Sequence, residues 1–310
     1  MQKSRVPDSG STLRDWVFFV EKQLRAARLH YGHGTRSPRD EAVWLLSSSG
    51  DIPFESIQSR ADAPYPGRAA NKALRILQKR ITTRKPLAYL LREAWLLGER
   101  FYVDERAIVP RSFIAELLPG GFGPFFNASA PSRVLDLCTG SGCLAILSAR
   151  RFPKAHVDAV DISSAALSVA RRNITLHRLS SRIRPLRSDL YEALKGKRYD
   201  LVVCNPPYVD SESMRRLPEE YRQEPDLALA GGQDGLDLVD RILRHGPRHL
   251  TPNGIMVVEI GHNRRALERR LRTKKVRWLN TQQTRDMVLL VTRAELTEWF
   301  PSQEDNEAKI

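Results

Sequence analysis

The chain is 310 residues long, and 41% of its residues are hydrophobic and 28% charged, which is the composition of a globular protein with room for two domains. The formal net charge of +14 is compatible with work near RNA, although the densest basic cluster, residues 264–277, fits a solvated helix face. No apolar run approaches the roughly 20 residues that cross a bilayer, and residues 1–10 lack the apolar core of a secretory signal. The three cysteines form no Cys-x-x-Cys pair, so we expect a cytoplasmic protein with no disulfide scaffold and no metal site.

The amino-terminal region, residues 1–94, has the apolar spacing of helices. Thr12 and Asp15 form the pattern of a capping box, and apolar residues at helical spacing follow them. Two more helices are predicted around residues 42–46 and 67–81. We interpret this region as a small helical bundle that recognises the substrate.

A β-hairpin linker is predicted at residues 95–111, with two short strands on either side of the turn Asp104-Glu105-Arg106. The second domain is predicted to occupy residues 112–300. The polar tail at residues 301–310 is expected to be disordered.

Strand and helix patterns alternate from residue 134 onward. This alternation predicts an α/β fold of the Rossmann-like kind, a mostly parallel sheet with helices on both faces. Ligands bind such sheets at the carboxyl ends of the strands. Strands are predicted at residues 134–137, 155–160, 183–186, 201–204, 254–260 and 287–292, and helices at 144–151, 165–177, 236–245 and 264–272. One more helix is predicted ahead of this alternation, at residues 114–118.

A glycine turn follows the first predicted strand of this domain. Gly140 and Gly142 let the backbone approach a ligand, and Asp136 at the strand end suits a cationic ammonium group better than a pyrophosphate. Asp161 ends the next strand, where an acid accepts from ribose hydroxyls. Its alternative role is a helix N-cap, and the two roles are compatible. Asp189 suits contact with an adenine amine, or a simple turn. This spacing favours S-adenosylmethionine over a nicotinamide dinucleotide.

A second turn, Asn205-Pro206-Pro207-Tyr208, follows the strand at residues 201–204. A planar amide or aryl amine is a poor nucleophile, so methylating it requires acceptors that hold both N–H bonds. The side-chain oxygen of Asn205 and the carbonyl of Pro206 supply two such acceptors. The prolines stiffen the turn, and Tyr208 packs against the planar group. We therefore expect catalysis by positioning, with no strong general base.

These motifs resemble the class I S-adenosylmethionine-dependent methyltransferases that act on planar nitrogen. The segments at residues 84–90 and 101–111 are similar to the glutamine methyltransferases that modify release factors and a ribosomal protein. Residues 32–35, 40–42 and 93–95 resemble the branch that acts on the third protein of the large ribosomal subunit. That branch implies Pro where this chain has Phe113.

The resemblance implies site residues by position. It assigns Asn205, Pro206 and Tyr208 to catalysis, and these three with Pro207 to substrate binding. It implies that the segments Glu224-Pro225 and 231–235 shape the pocket. Residues expected to bind the cofactor are Asp136, Cys138, Thr139, Gly140, Ser141, Gly142, Asp161, Asp189, Leu190 and Asn205.

Three other functions stay open at this point. The first is a glutamine methyltransferase that acts on a release factor, in place of a ribosomal protein met within an rRNA-containing assembly intermediate. The same turn also serves methylation of the adenine amine in RNA or DNA, although no separate nucleic-acid module is present. The third alternative is a non-catalytic assembly factor with a vestigial cofactor fold.

Overall fold

The computed structural model describes residues 6–8, 10–126, 130–272 and 274–301. Apart from Pro301, the predicted disordered tail lies outside the described residues. The chain divides into two compact units. The first comprises residues 1–94, 103–105 and 217–223, and the second comprises the rest. Within the described part of the chain, no helix combines the length and the apolar character required to cross a membrane.

Among the described residues, the first unit contains four α-helices, and the apolar spacing predicts the first three of them. Thr12 caps the first helix, with the reciprocal Thr12–Asp15 hydrogen bonds of a capping box, which confirms that prediction. A short fourth helix was not predicted. The helices are α1 (Leu13–Ala26), α2 (Pro38–Gly50), α3 (Gly67–Thr83) and α4 (Leu87–Leu91).

A buried ion-pair network lies at the centre of the first unit. The guanidinium of Arg80 on α3 binds the carboxylate of Glu41 on α2 at 2.5 Å, and both side chains are buried. Glu220 accepts from Arg84 at 2.7 Å and from the backbone amide of His30 at 2.9 Å. Glu220 belongs to residues 217–223, a segment that the sequence places between two parts of the second unit.

The predicted hairpin exists, but its position was wrong. The strands are β1 (Ala94–Leu96) and β2 (Glu99–Phe101). Both turn residues, Leu97 and Gly98, have positive φ angles, of 50° and 76°. A two-residue turn of this kind matches the twist of paired strands. Residues 107–110 form no strand, and the amide of Val109 donates instead to the side chain of Glu224 at 2.9 Å.

The second unit alternates strands and helices, which confirms the α/β prediction. The sequence missed two short helices, α8 (Ser211–Arg215) and α11 (Arg293–Trp299), and the edge strand β8 (Arg277–Leu279). Its strands are β3 (Arg133–Leu137), β4 (His156–Asp161), β5 (Ile183–Arg187), β6 (Tyr199–Cys204), β7 (Leu250–Glu259), β8 (Arg277–Leu279) and β9 (Val288–Thr292). Its helices are α5 (Phe113–Leu117), α6 (Cys143–Arg151), α7 (Ser164–Leu176), α8 (Ser211–Arg215), α9 (Asp237–His249), α10 (Arg264–Leu271) and α11 (Arg293–Trp299).

The seven strands form one sheet in the order β5-β4-β3-β6-β7-β9-β8. The first five are parallel, and β9 runs antiparallel to both β7 and β8. Helices α5, α6 and α7 pack on one face and α9, α10 and α11 on the other, so a hydrophobic core lies on each side. The strand order reverses between β3 and β6, which is where such sheets bind ligands.

Candidate active site

The glycine turn and the Asn-Pro-Pro-Tyr turn leave neighbouring strands at the same level. Strand β3 is parallel to β6, and Leu137 at the end of β3 is in register with Cys204 at the end of β6. The two turns begin at the next residues, Cys138 and Asn205. They therefore start side by side at the point where the strand order reverses.

Left-handed backbone shapes the glycine turn. Cys138, Gly140 and Gly142 have φ angles of 57°, 55° and 82°. Cys138 thus adopts a conformation that glycine tolerates at lower cost. A Cβ placed on Gly140 would meet nothing closer than Ile108, at 3.6 Å. The backbone at Gly140 is therefore open to close approach by a ligand.

Asp136 is buried beneath this turn. Its Oδ2 accepts from the hydroxyl of Thr139 at 2.5 Å and from the amide of Ala145 at 2.9 Å. Desolvation raises the pKa of Asp136 to about 7, against the opposing effect of those two bonds. Oδ1 and the buried hydroxyl of Ser141 have no hydrogen-bond partner among the described residues. Unpaired buried atoms are costly, so this acceptor oxygen and hydroxyl fit a cationic ligand with polar groups.

Asp161 links the end of β4 to the glycine turn. Its Oδ2 accepts from the amide of Gly140 at 2.9 Å, and its Oδ1 accepts from the amide of Ser163 at 2.8 Å. The alternative role of Asp161 as a helix N-cap was wrong, because Ser163 caps α7 by accepting from the amide of Ala166. The carboxylate of Asp161 therefore lies at the glycine turn itself, and its contact with a ribose stays a prediction.

Asp189 and Leu190 lie on the loop after β5. Oδ2 of Asp189 accepts from the guanidinium of Arg241 at 2.9 Å, an ion pair that the sequence did not reveal. Leu190 is buried and has a φ of 44°. This loop is joined to β4, since the amide of Ser188 donates to the carbonyl of Asp161 at 3.0 Å. Asp161 and Asp189 therefore lie at the ends of adjacent strands.

The side chain of Asn205 is held in one orientation. Its Nδ2 donates to the backbone carbonyl of Arg111 at 3.1 Å. An amide whose nitrogen is held in this way presents its Oδ1 as the acceptor. Pro206 is buried, whereas Asn205, Pro207 and Tyr208 are half-buried. This bond leaves Oδ1 of Asn205 as the acceptor, and its contact with a substrate amide stays a prediction.

The side chain of Glu259 fixes Tyr208, a role that the sequence analysis did not find. Glu259 ends β7, is only 2% exposed, and its Oε1 accepts from the Tyr208 hydroxyl at 2.9 Å. Its Oε2 accepts from the hydroxyl of Ser112 at 2.7 Å and from the amide of Phe113 at 2.9 Å. Burial raises the pKa of Glu259 against these bonds. The sequence does carry a signal for Glu259, because it is an acid at the end of an apolar strand, as Asp136 is.

Phe113 stands where the resemblance implies proline, and its amide is one of the donors to Glu259. Proline has no N–H, so it could not make this bond. The departure from the expected motif therefore adds a hydrogen bond to the group that holds Tyr208.

Close packing encloses the backbone and ring of Tyr208. A Cβ on Gly261, which has a φ of 54°, would lie 2.6 Å from the Tyr208 ring, and a Cβ on Gly231 would lie 2.7 Å from its Cα. The carbonyl of Tyr208 accepts from Nδ2 of Asn263 at 2.7 Å. Glycine is required at these positions because any side chain would displace the turn.

Glu224 anchors the segment that carries the Arg111 carbonyl. Its two carboxylate oxygens bind the guanidinium of Arg111 at 2.6 and 2.5 Å, and its side chain is fully buried. Such bidentate pairs fix geometry as well as charge. Glu224 thereby positions the carbonyl that orients Asn205.

The three cysteines are all free thiols. Burial raises the pKa of Cys143 to about 12, so this thiol is protonated at neutral pH. Among the residues that the structure describes, no group of three or more His, Cys, Asp or Glu side chains is placed to hold a metal ion.

The strand order and the two strand-end turns define a class I, Rossmann-like methyltransferase. The family model of the methyltransferase small domain matches residues 124–218 of the chain.

Curated relatives identify the family more narrowly. The ribosomal protein uL3 glutamine methyltransferase of Bordetella pertussis is 48% identical over 92% of this chain and 96% of its own length. The protein of the same name from Bradyrhizobium diazoefficiens is 45% identical over 92% of each chain. The one from Burkholderia pseudomallei is 44% identical over 94% of this chain and 97% of its own. The chain belongs to the family of ribosomal protein uL3 glutamine methyltransferases.

Proposed function

We propose that this protein transfers a methyl group from S-adenosylmethionine to the side-chain amide nitrogen of a glutamine in ribosomal protein uL3, the third protein of the large ribosomal subunit. The observation that carries the proposal is the fixed orientation of Asn205, whose nitrogen is bound by the Arg111 carbonyl. The names and the 44–48% identity of the relatives support glutamine as the acceptor.

The chemistry requires positioning more than proton abstraction. The lone pair of an amide nitrogen is delocalised, so the reaction depends on holding the nitrogen in line with the methyl group. Oδ1 of Asn205 and the carbonyl of Pro206 each accept one N–H of the glutamine amide. The Tyr208 ring, tethered to Glu259 at 2.9 Å, covers the amide plane and excludes water. After the transfer, the nitrogen gives up one N–H proton to solvent and returns to a neutral amide.

The cofactor residues are assigned by the fit of the turn. S-adenosylmethionine, when bound, supplies an electrophilic methyl group on a sulfonium. We assign the segment 138–142 to its methionine end and Oδ1 of Asp136 to the ammonium group. Asp161 takes the ribose hydroxyls. Because Arg241 occupies Oδ2 of Asp189, we assign the adenine amine to Oδ1 of Asp189, beside Leu190.

Several finer points belong to the same proposal. The helical region of residues 1–94 recognises the substrate, and the target is met within an rRNA-containing assembly intermediate in the cytoplasm. The basic charge of +14 supports this setting, because a free basic ribosomal protein would be repelled. No metal takes part in the reaction that we propose.

The experiment is transfer of a labelled methyl group into ribosomal particles from cells that lack this protein, with the labelled products mapped by fragmentation. One methyl group on a glutamine amide of uL3 supports the proposal. Label on a release factor would keep the mechanism and change the substrate. Label on adenine in rRNA, with none in protein, would overturn the glutamine assignment.

A further inference from the structure

One face of α3 carries an unusual row of cations. Arg68, Lys72, Arg75 and Lys79 are all exposed, and they follow one another at intervals of four, three and four residues. This spacing places them on one side of a helix, over about 16 Å at 1.5 Å per residue. The whole of α3, Gly67–Thr83, contains no Asp or Glu. We call these four residues the α3 stripe.

The α3 stripe is not neutralised within the described part of the chain. No described carboxylate forms an ion pair with any of its members, and Lys72 donates instead to the carbonyl of Ser48 at 3.2 Å. Two carboxylates of the same unit pair with other cations. Asp62 binds Arg14 at 2.9 Å, and Glu21 binds Arg25 at 2.7 Å.

The basic cluster that is densest in the sequence differs from the α3 stripe. Arg264 binds Glu268 and Asp286, at 2.8 and 2.6 Å, and Arg270 binds Asp234 at 2.8 Å. Lys274 and Arg277 are also paired, with Glu298 and Glu295. Ion pairs therefore neutralise half of the cations in that cluster, whereas the cations of the α3 stripe form no ion pairs with the described carboxylates.

Like charges three and four residues apart on a helix repel one another and destabilise it. Arg68 also lies in the first turn of α3, where the helix dipole disfavours a cation. A polyanion relieves both effects. An RNA backbone presents a phosphate every few ångströms and releases counterions when cations neutralise it, so its charge and spacing complement the stripe.

We infer that the α3 stripe binds RNA phosphates and thereby holds the enzyme on the RNA that surrounds its protein substrate. The inference rests on the proposed function, because it specifies how the rRNA-containing target is recognised. Contacts of this kind are independent of sequence and lose strength steeply as salt is added. Four such contacts contribute about 3 to 4 to the slope of log affinity against log salt concentration.

The test replaces the stripe in the full chain and titrates a fluorescein-labelled RNA hairpin of arbitrary sequence at several salt concentrations. A control variant removes four exposed cations elsewhere, so both variants have the same net charge. The stripe variant is R68Q/K72Q/R75Q/K79Q, and the control is K154Q/R265Q/R269Q/K275Q.

We expect the stripe variant to bind the hairpin more weakly, with a salt slope shallower by about 3, while the control stays close to wild type. The thermal midpoint of the stripe variant should equal or exceed that of wild type, because like-charge repulsion along α3 is removed. Methyl transfer to assembly particles should fall, whereas transfer to isolated uL3 should not. Equal loss of RNA affinity in both variants, or none in the stripe variant, would overturn the inference.

Two further outcomes separate the alternatives. If the stripe variant also loses transfer to isolated uL3, the stripe binds protein and the RNA assignment is wrong. If wild type methylates no glutamine in either sample, the proposed function fails, and the hairpin titration still reports whether the stripe binds RNA.

Discussion

Removing the hydroxyl of Tyr208 tests whether its bond to Glu259 positions the substrate turn. In Tyr208→Phe the ring stays, but Oε1 of Glu259 loses the donor that lies 2.9 Å away. Leaving a buried acceptor unpaired costs about 1–3 kcal/mol, so the free energy of unfolding should fall by that amount. The ring, and with it the turn that carries the Pro206 carbonyl, also loses a tether.

The loss of the tether should appear in catalysis. If about 1.4 kcal/mol of positioning is lost in the transition state, kcat falls about tenfold. The KM for S-adenosylmethionine should not change, because the cofactor turn follows a different strand. Urea denaturation and steady-state methyl transfer measure the two effects on the same preparations.

Tyr199→Phe is the matched control. Tyr199 also donates to a carboxylate, Oδ2 of Asp158 at 2.7 Å, but it begins β6, at the opposite end of the strand from Asn205. It should lose stability and keep its kcat. Equal kcat for Tyr208→Phe and wild type, or an equal loss in both variants, would refute the positioning role.

Glu259→Gln gives a second check on the same contact. The glutamine oxygen can take over the bonds from Ser112 and Phe113, and its amide nitrogen can donate to the Tyr208 oxygen. It should therefore retain more activity than Glu259→Ala, which leaves three donors without an acceptor. Equal activity of these two variants would contradict the account.

Three more variants test separate contacts. Asn205→Asp places a carboxylate oxygen against the Arg111 carbonyl, where a hydrogen bond of 3.1 Å now lies. A loss of about 3 kcal/mol of transition-state stabilisation should lower kcat about 100-fold, with an unchanged circular dichroism spectrum. A variant with the kcat of wild type would refute the orienting role. For Asp136, the folded pKa of about 7 exceeds the usual 3.8, so its ionisation makes stability fall as pH rises from about 4 to 7. The free energy of unfolding of Asp136→Asn, measured by urea denaturation, should therefore rise by about 2–3 kcal/mol relative to wild type between pH 5 and pH 8. Parallel pH profiles of stability for the two proteins would contradict this. Gly261→Ala should lower the free energy of unfolding by about 1–3 kcal/mol and should lower kcat, because its Cβ would lie 2.6 Å from the Tyr208 ring. An unchanged kcat would show that the ring position does not matter.

Local signals predicted the longer helices, the parallel sheet and the two turns of the site. The Thr12–Asp15 capping box is a contact over three residues, and the alternation of strands and helices fixes which loops reach the carboxyl edge of the sheet. Asn205 follows a buried strand, so its place at that edge was predictable from the sequence.

The contacts that orient those turns are long-range, and no local pattern reveals them. Asn205 meets the Arg111 carbonyl across 94 residues, and Tyr208 meets Glu259 across 51. The hairpin was misplaced for a different reason: Leu97 adopts a positive φ that its residue type disfavours, so the turn signal was weak. The missed strand β8, Arg277–Leu279, is only three residues long.

The central claim is that Asn205 directs a methyl group to a glutamine amide of uL3, and fragment mass mapping of uL3 tests it most directly. Particles from cells without this protein are incubated with S-adenosylmethionine and either wild type or Asn205→Ala. We predict one added methyl group on a glutamine side chain with wild type, and none with the variant although it remains folded. Equal methylation by the two proteins, or a methyl group on any residue other than glutamine, would contradict the account.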